Sequence, residues 1–378
     1  MELEGVVQNY AWGKIGSSSA VADLSTVKVD PDLTYAELWM GTHPNGPATL
    51  KGTGISLKDF IDGSENKAKV LGEECNKQFG GSLPFLLKVL SVNKALSIQA
   101  HPNKELAETL HEQRPDIYKD PNHKPEMALA LTEFEGLCGF RPLGEIAKFL
   151  LNMDPLRNVV GESNAVAIVN GNADALKDAF GALMQCEPET IKSQLSSMLN
   201  SNYEIPYLKE LFLRLHKEYP GDVGCFVIYF LNFVVLQPGE SMFLGPNLPH
   251  AYLKGDCIEC MACSDNVVRA GLTPKLIDVP TLLSMLDYQS VSNVKFSPVQ
   301  ENEQSLLYSP PVKDFSIVKI CVLPGKKYTL LPRKSASILI YTTGTDVKGK
   351  IIFLKAEEIF EIQENQTDVL VFQAFCGC

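Results

Sequence analysis

Positive charge is in short supply. Of 378 residues, 34 are Lys or Arg and 45 are Asp or Glu, a formal net charge of −11. Such a surface argues against nucleic acid and anionic membranes as main partners, because both demand clustered cations. An anionic small molecule is still admissible, since a local group of Lys and Arg can hold one. Long hydrophobic runs are missing too. The longest, Cys225 to Leu236 (CFVIYFLNFVVL), is too short to span a bilayer and reads as a buried strand. No basic, apolar leader opens MELEGVVQNYAWG, so the ten cysteines read as free thiols in a reducing cytosol. Histidine is scarce, with six residues at 43, 101, 111, 123, 216 and 250. There is no internal repeat and no low-complexity linker.

What is present is an ordinary globular balance, 45% hydrophobic and 21% charged, long enough for two or three domains. Residues 1–142 mix short apolar runs with turn signals, a strand-and-loop texture. One helix interrupts it, with Asn103 as N-cap and Leu106 and Leu110 on one face. Residues 143–220 change character: EIAKFLLNM, DALKDAFGALM, ETIKSQLSSML and YLKELFLRLHKEY place apolar residues at helical spacing, and EYPGD stops the last. Strand texture returns over 221–295. The tail, 296–378, carries SIVKICVL, SASILIYTT, KIIFL and TDVLVFQAF between turns, the spacing of a sandwich or jelly roll. The chain is therefore mainly β, with a helical block inserted.

Two groups of residues invite metal chemistry. Cys257, Cys260 and Cys263 form a C-x-x-C-x-x-C run, whose soft thiolates suit iron–sulfur clusters or zinc. No fourth cysteine closes it at the expected distance, and packing in a buried strand is the plainer reading. The second group is scattered. Gln99 and His101 are two apart in LSIQAHP, so on a strand they share a face with Ser97. Glu126 opens the apolar run of HKPEMALAL with Lys124 two residues before it, and His250 follows a Pro-rich turn. Two imidazoles, a carboxylate and an amide oxygen suit zinc or a neighbouring divalent ion. On spacing alone, hydrogen-bonded core histidines remain an equal reading. His43, His111, His123 and His216 are assigned to structure or surface.

The segments QNYAWG, YAELWMGTHP, LPFLLKVLSVNKALSIQAHPNKEL, NHKPEMALAL, GLCGFRP, GESMFLGPNLPHAYLKGDCIECMACSDNVVRAGLTPK and KLIDVPTLL together resemble the type I mannose-6-phosphate isomerase family. The resemblance implies a cupin-type β-scaffold (1–142 with 221–295), a helical insertion (143–220) and a C-terminal jelly-roll-like domain (296–378). It implies exchange of mannose 6-phosphate and fructose 6-phosphate, in the supply of GDP-mannose for glycosylation, by a monomer holding one zinc. The ligands it implies are Gln99, His101, Glu126 and His250, with the cysteine run outside the metal site. An enediol route needs a proton-transfer group and an electrophile. Glu259 and Lys124 are the candidates for proton transfer, against an ion pair that only shapes the pocket. Arg269 falls on the family's active-site arginine. Lys275 and Ser97 are candidates for the phosphate, and Glu37 and Trp12 for the pocket wall. A non-catalytic sugar-binding cupin and an iron dioxygenase are the competing classes. The full set of metal ligands and cations argues against the first, and the Gln and Glu ligands against the second.

Overall fold

A computed structural model describes residues 1–199 and 206–378. Ten strands build the sheet that carries the motifs: β1 (Val6–Gln8), β2 (Glu37–Met40), β3 (Phe85–Val92), β4 (Ile98–Ala100), β5 (Glu126–Ala130), β6 (Phe134–Phe140), β7 (Leu231–Leu236), β8 (Ser241–Leu244), β9 (His250–Ala262) and β10 (Val268–Gly271). The main path runs β7-β6-β9-β3-β2-β1, while β5 and β4 also pair with β9 and bring in β8 and β10. This is the cupin arrangement.

The residues of β5 show why the sheet is a scaffold. Successive side chains alternate faces, so Met127 and Leu129 point one way and Glu126, Ala128 and Ala130 the other. Met127 and Leu129 join Leu38, Leu87, Val89 and Ile258 in the core shared with the C-terminal region. Ala128 and Ala130 join Leu90, Val92 and Cys257 in the second core. Both faces are buried, which explains why β3 and β5 read as near-continuous apolar runs.

Strand β9 serves two sets of neighbours. Its first residues pair with β6 and β4, and from Gly255 to Ala262 it pairs with β3 and β5. The handover falls at Gly255, whose φ is +113° and where a Cβ would lie 2.4 Å from the Glu133 carbonyl oxygen. Gly255→Ala is expected to destabilise by about 2 kcal/mol or more. Gly52→Ala is the control, with φ of +73° but nothing within 4 Å of its Cβ. Denaturant midpoints check the pair, and equal losses would remove the steric argument.

The inserted block is helical as its periodicity predicts, from Leu143–Asn152 through Ala175–Met184 to Pro206–Glu218. Its apolar faces form one core with Ile98 and Ala100 of β4. The run Cys225–Leu236 departs from the expected strand. A short helix covers Gly224–Val227, and the strand begins only at Leu231. An apolar run of this kind has no period to separate the two. The Asp222 carboxylate, accepting from the Gly224, Leu272 and Thr273 amides, holds the helical turn against the loop after β10.

The tail forms an eight-stranded sheet. Its centre is Ser316–Val322, Val369–Phe375, Ser337–Tyr341 and Ile351–Leu354, the four clusters read from sequence. Its far edge comes from elsewhere in the chain: Glu2–Glu4 pairs with Ile351–Leu354, then Thr49–Leu50 with Glu2–Glu4. Among the described residues, no helix is long and apolar enough to cross a membrane.

Candidate metal centre and active site

Three strands converge on one spot inside the cupin sheet. His101 follows β4, Glu126 opens β5 and His250 opens β9. All three are buried, and one ligand atom from each lies within 4.8 Å of the others. The Glu126 oxygens stand 3.5 Å from His101 Nε2 and 3.2 Å from His250 Nε2. Gln99 is held at the same place by register, its main chain pairing with His250 on one side and Arg269 on the other.

The tautomers follow from the backbone. His101 Nδ1–H donates to the Asn266 carbonyl at 2.6 Å, and His250 Nδ1–H to the Leu248 carbonyl at 2.9 Å. Each Nε2 therefore carries a free lone pair, the orientation that a metal-ligating histidine needs. His101 Nε2, His250 Nε2 and Glu126 Oε2 are buried and have no hydrogen-bond partner among the described residues. Orphaned buried polar atoms are costly, so three of them facing one point fit a divalent cation. Burial pushes the His101 imidazole down to about 4, keeping it neutral for that task. Burial alone would lift the Glu126 carboxyl, but the Lys124 ammonium beside it works the other way and favours the carboxylate.

Charged groups surround this triad. Lys124 Nζ lies 3.6 Å from Glu126 Oε1, on the face its spacing predicts. Glu259 does not meet Lys124 but Lys88, at 2.9 Å, and Lys88 also reaches Glu37 at 3.3 Å. Register makes this group: Lys88 on β3 stands directly opposite Glu259 on β9 and Trp39 on β2. The Trp39 indole N–H donates to Glu37. Burial raises the Glu259 carboxyl, and Lys88 only partly offsets that rise. Burial likewise would lower Lys88, but Glu259 and Glu37 outweigh it and keep the ammonium charged. Lys88 escapes a search of the sequence for polar motifs, yet it had a signal. It is the one charge in the fully buried strand FLLKVLSV.

Arg269 sits on β10 and forms no ion pair among the described residues, so its guanidinium is free for an anion. Half-burial lowers its pKa without neutralising it. Ser97 is half-buried just before β4, and Lys275 is exposed beyond β10. Trp12 is half-buried, stacked on Tyr10 with centroids 5.9 Å apart, against the core behind the site. The remaining histidines stay outside: His43 faces Asp265, His111 donates to the Tyr118 carbonyl, His123 pairs with Asp314 and His216 stacks on Phe212.

The cysteine run does not converge. Residues three apart on a strand point to opposite faces, so Cys257 and Cys260 enter different cores. Cys263 lies past the end of β9 and is only partly buried, which corrects the expectation of three cysteines packed within a strand. Burial pushes its thiol up to about 12. Replacing each singly by Ala is expected to leave metal content unchanged, at a packing loss of about 1 kcal/mol or somewhat more for the buried pair. Elemental analysis with unfolding midpoints is the check. Loss of one metal equivalent in any of them would restore the cluster reading.

Comparison with known proteins agrees with this geometry. Residues 1–143 match the catalytic domain of type I phosphomannose isomerase, 158–231 its helical insertion domain and 305–352 its C-terminal region. Rat mannose-6-phosphate isomerase is 46% identical, with 99% of this chain and 98% of the relative aligned. The human enzyme is 45% identical over 99% and 98%, and that of Schizosaccharomyces pombe 40% over 98% of each. A crystal structure of mannose 6-phosphate isomerase bound with zinc and yttrium superposes with a TM-score of 0.82 at 33% identity, covering 100% of this chain and 99% of the other. The apo form from Salmonella typhimurium gives the same values. With its cupin sheet, inserted helices and C-terminal sheet all matched, the chain belongs to the type I phosphomannose isomerase family.

Proposed function

We propose that the chain interconverts mannose 6-phosphate and fructose 6-phosphate, with one zinc ion held by Gln99, His101, Glu126 and His250. The observation that carries the reading is the trio of buried, unpartnered ligand atoms beside a cation without an acidic partner, Arg269. All of these come from one chain, in keeping with a monomer. Zinc, when bound, supplies a Lewis-acidic charge that orients and polarises sugar oxygens. The chain's own residues account for the rest. A base takes the proton from the carbon beside the carbonyl, and the electron pair moves through the new C=C bond onto the carbonyl oxygen. A proton passes from the neighbouring hydroxyl to that oxygen, and the base returns its proton to the former carbonyl carbon as the second oxygen becomes the carbonyl. Glu259 and Lys124 are the groups for this transfer. Glu259 has a carboxyl raised by burial, and Lys88 keeps it and Glu37 in place. Arg269 faces the developing oxyanion. Lys275 and Ser97 are left for the phosphate, and Glu37 and Trp12 for the pocket wall.

The reading divides the chain into a catalytic cupin domain (1–142 with 221–295), a helical domain (143–220) and a C-terminal domain (296–378). It places the activity at the entry of mannose into GDP-mannose and glycosylation, in the cytosol. The test is turnover of mannose 6-phosphate by metal-free protein, before and after zinc is restored. Fructose 6-phosphate formation that depends on zinc is expected. Zinc binding without turnover would leave a sugar-binding cupin instead.

A further inference from the structure

A second set of converging ligands lies at the seam between the cupin sheet and the C-terminal sheet. Cys75 belongs to the short helix Glu73–Gln78, while Cys376 and Cys378 follow the strand Val369–Phe375. Their three sulfurs lie within 4.8 Å of one another. Cys376 Sγ and Cys378 Sγ are 2.8 Å apart. Cys75 and Cys376 are buried, and Cys378 is partly open to solvent. No histidine or carboxylate joins this group among the described residues, so it shares nothing with the triad of His101, Glu126 and His250.

We propose that Cys75, Cys376 and Cys378 form a thiolate site for a soft, closed-shell cation of the zinc, cadmium or copper(I) class. Metal–sulfur bonds of about 2.3 Å place trigonal or tetrahedral sulfurs about 3.7–4.0 Å apart. The Cys376–Cys378 separation of 2.8 Å is about 1 Å shorter than that, and all three sulfurs already lie within 4.8 Å of one another, so side-chain rotations that part this pair open the site. The backbone is already shaped for it. Ser335 Oγ accepts from the Cys376 amide, and the Lys313 carbonyl accepts from the Gly377 amide, which holds Cys376 and Cys378 as a two-armed chelate. The partly exposed Cys378 is the entry. Thiolates are the preferred ligands of such ions. Binding breaks S–H bonds and releases protons to solvent as metal–sulfur bonds form, with no oxidant or reductant consumed.

The test is titration of the zinc-loaded protein with cadmium, read by thiolate-to-cadmium charge-transfer absorption. The His, Glu and Gln site contains no sulfur and cannot produce that band. One equivalent is expected to saturate it. Cys376→Ser and Cys378→Ser should each weaken cadmium binding at least tenfold while mannose 6-phosphate turnover is kept, and turnover also reports that the variants fold. Cys186→Ser and Cys321→Ser should bind as the parent does. Absence of the band, or its persistence in Cys376→Ser, would overturn the proposal. So would recovery of a Cys376–Cys378 disulfide by peptide mass in protein that shows no band.

Discussion

Glu126→Ala protein is expected to lose metal and turnover together. Glu126 is the one carboxylate facing both imidazole Nε2 atoms, at 3.5 and 3.2 Å. Without it, a divalent ion would face two neutral imidazoles and an amide, with the Lys124 ammonium nearby and nothing negative to balance either. The loss of an anionic ligand from a buried site exposes the cation to the full desolvation cost. Activity should fall to background and metal content to well under a tenth of one equivalent. Elemental analysis beside a turnover assay makes the measurement, and Glu126→Gln, which keeps the shape, separates charge from packing. A fully metallated Glu126→Ala protein would sink the ligand assignment.

Arg269→Ala should cost at least about 3 kcal/mol of transition-state stabilisation, more than a hundredfold in kcat/KM. The substrate is anionic and the protein carries a net charge of −11, so long-range attraction is poor and local cations must act. Arg269 has no acidic partner among the described residues, and its main chain pairs with that of Gln99, itself paired with His250. A residue acting on developing charge lowers kcat when removed. One that only holds phosphate raises KM. The loss should appear mostly in kcat, because under the proposed assignment Lys275 and Ser97 remain for the phosphate. Steady-state kinetics with metal content confirmed decides it. An unchanged kcat with a large rise in KM would move Arg269 to the phosphate, and near-normal values of both would remove it from the site.

How much of this could be read from the sequence depended on whether the signal was local. The face shared by Gln99 and His101, the face shared by Lys124 and Glu126, and the helices after residue 143 all follow from periods of two or 3.6, and the structure has them. Asn103 caps its helix by accepting from the Leu106 amide, as its residue type suggests. The failures are non-local. Which cation Glu259 would meet depends on strand order and register, and neither is written in either segment. That is why the sequence offers an ion pair with Lys124 as the alternative for Glu259, while the cation that Glu259 meets is Lys88. The short helix at Gly224–Val227 depends on an Asp222 contact with a loop some fifty residues away. The pairing of Glu2–Glu4 with Ile351–Leu354 has no local signal at all.

That pairing sets a timetable. Leu3 is made well before Ile351, so the strand they share cannot close until the long stretch of chain between them has been made. At about 5–20 residues per second, Glu2–Glu4 waits on the order of 20–70 s for its partner. Through that interval its backbone donors and acceptors form an open edge, and neighbouring nascent chains offer the same edge. The later segment therefore decides when the earlier one becomes safe from association.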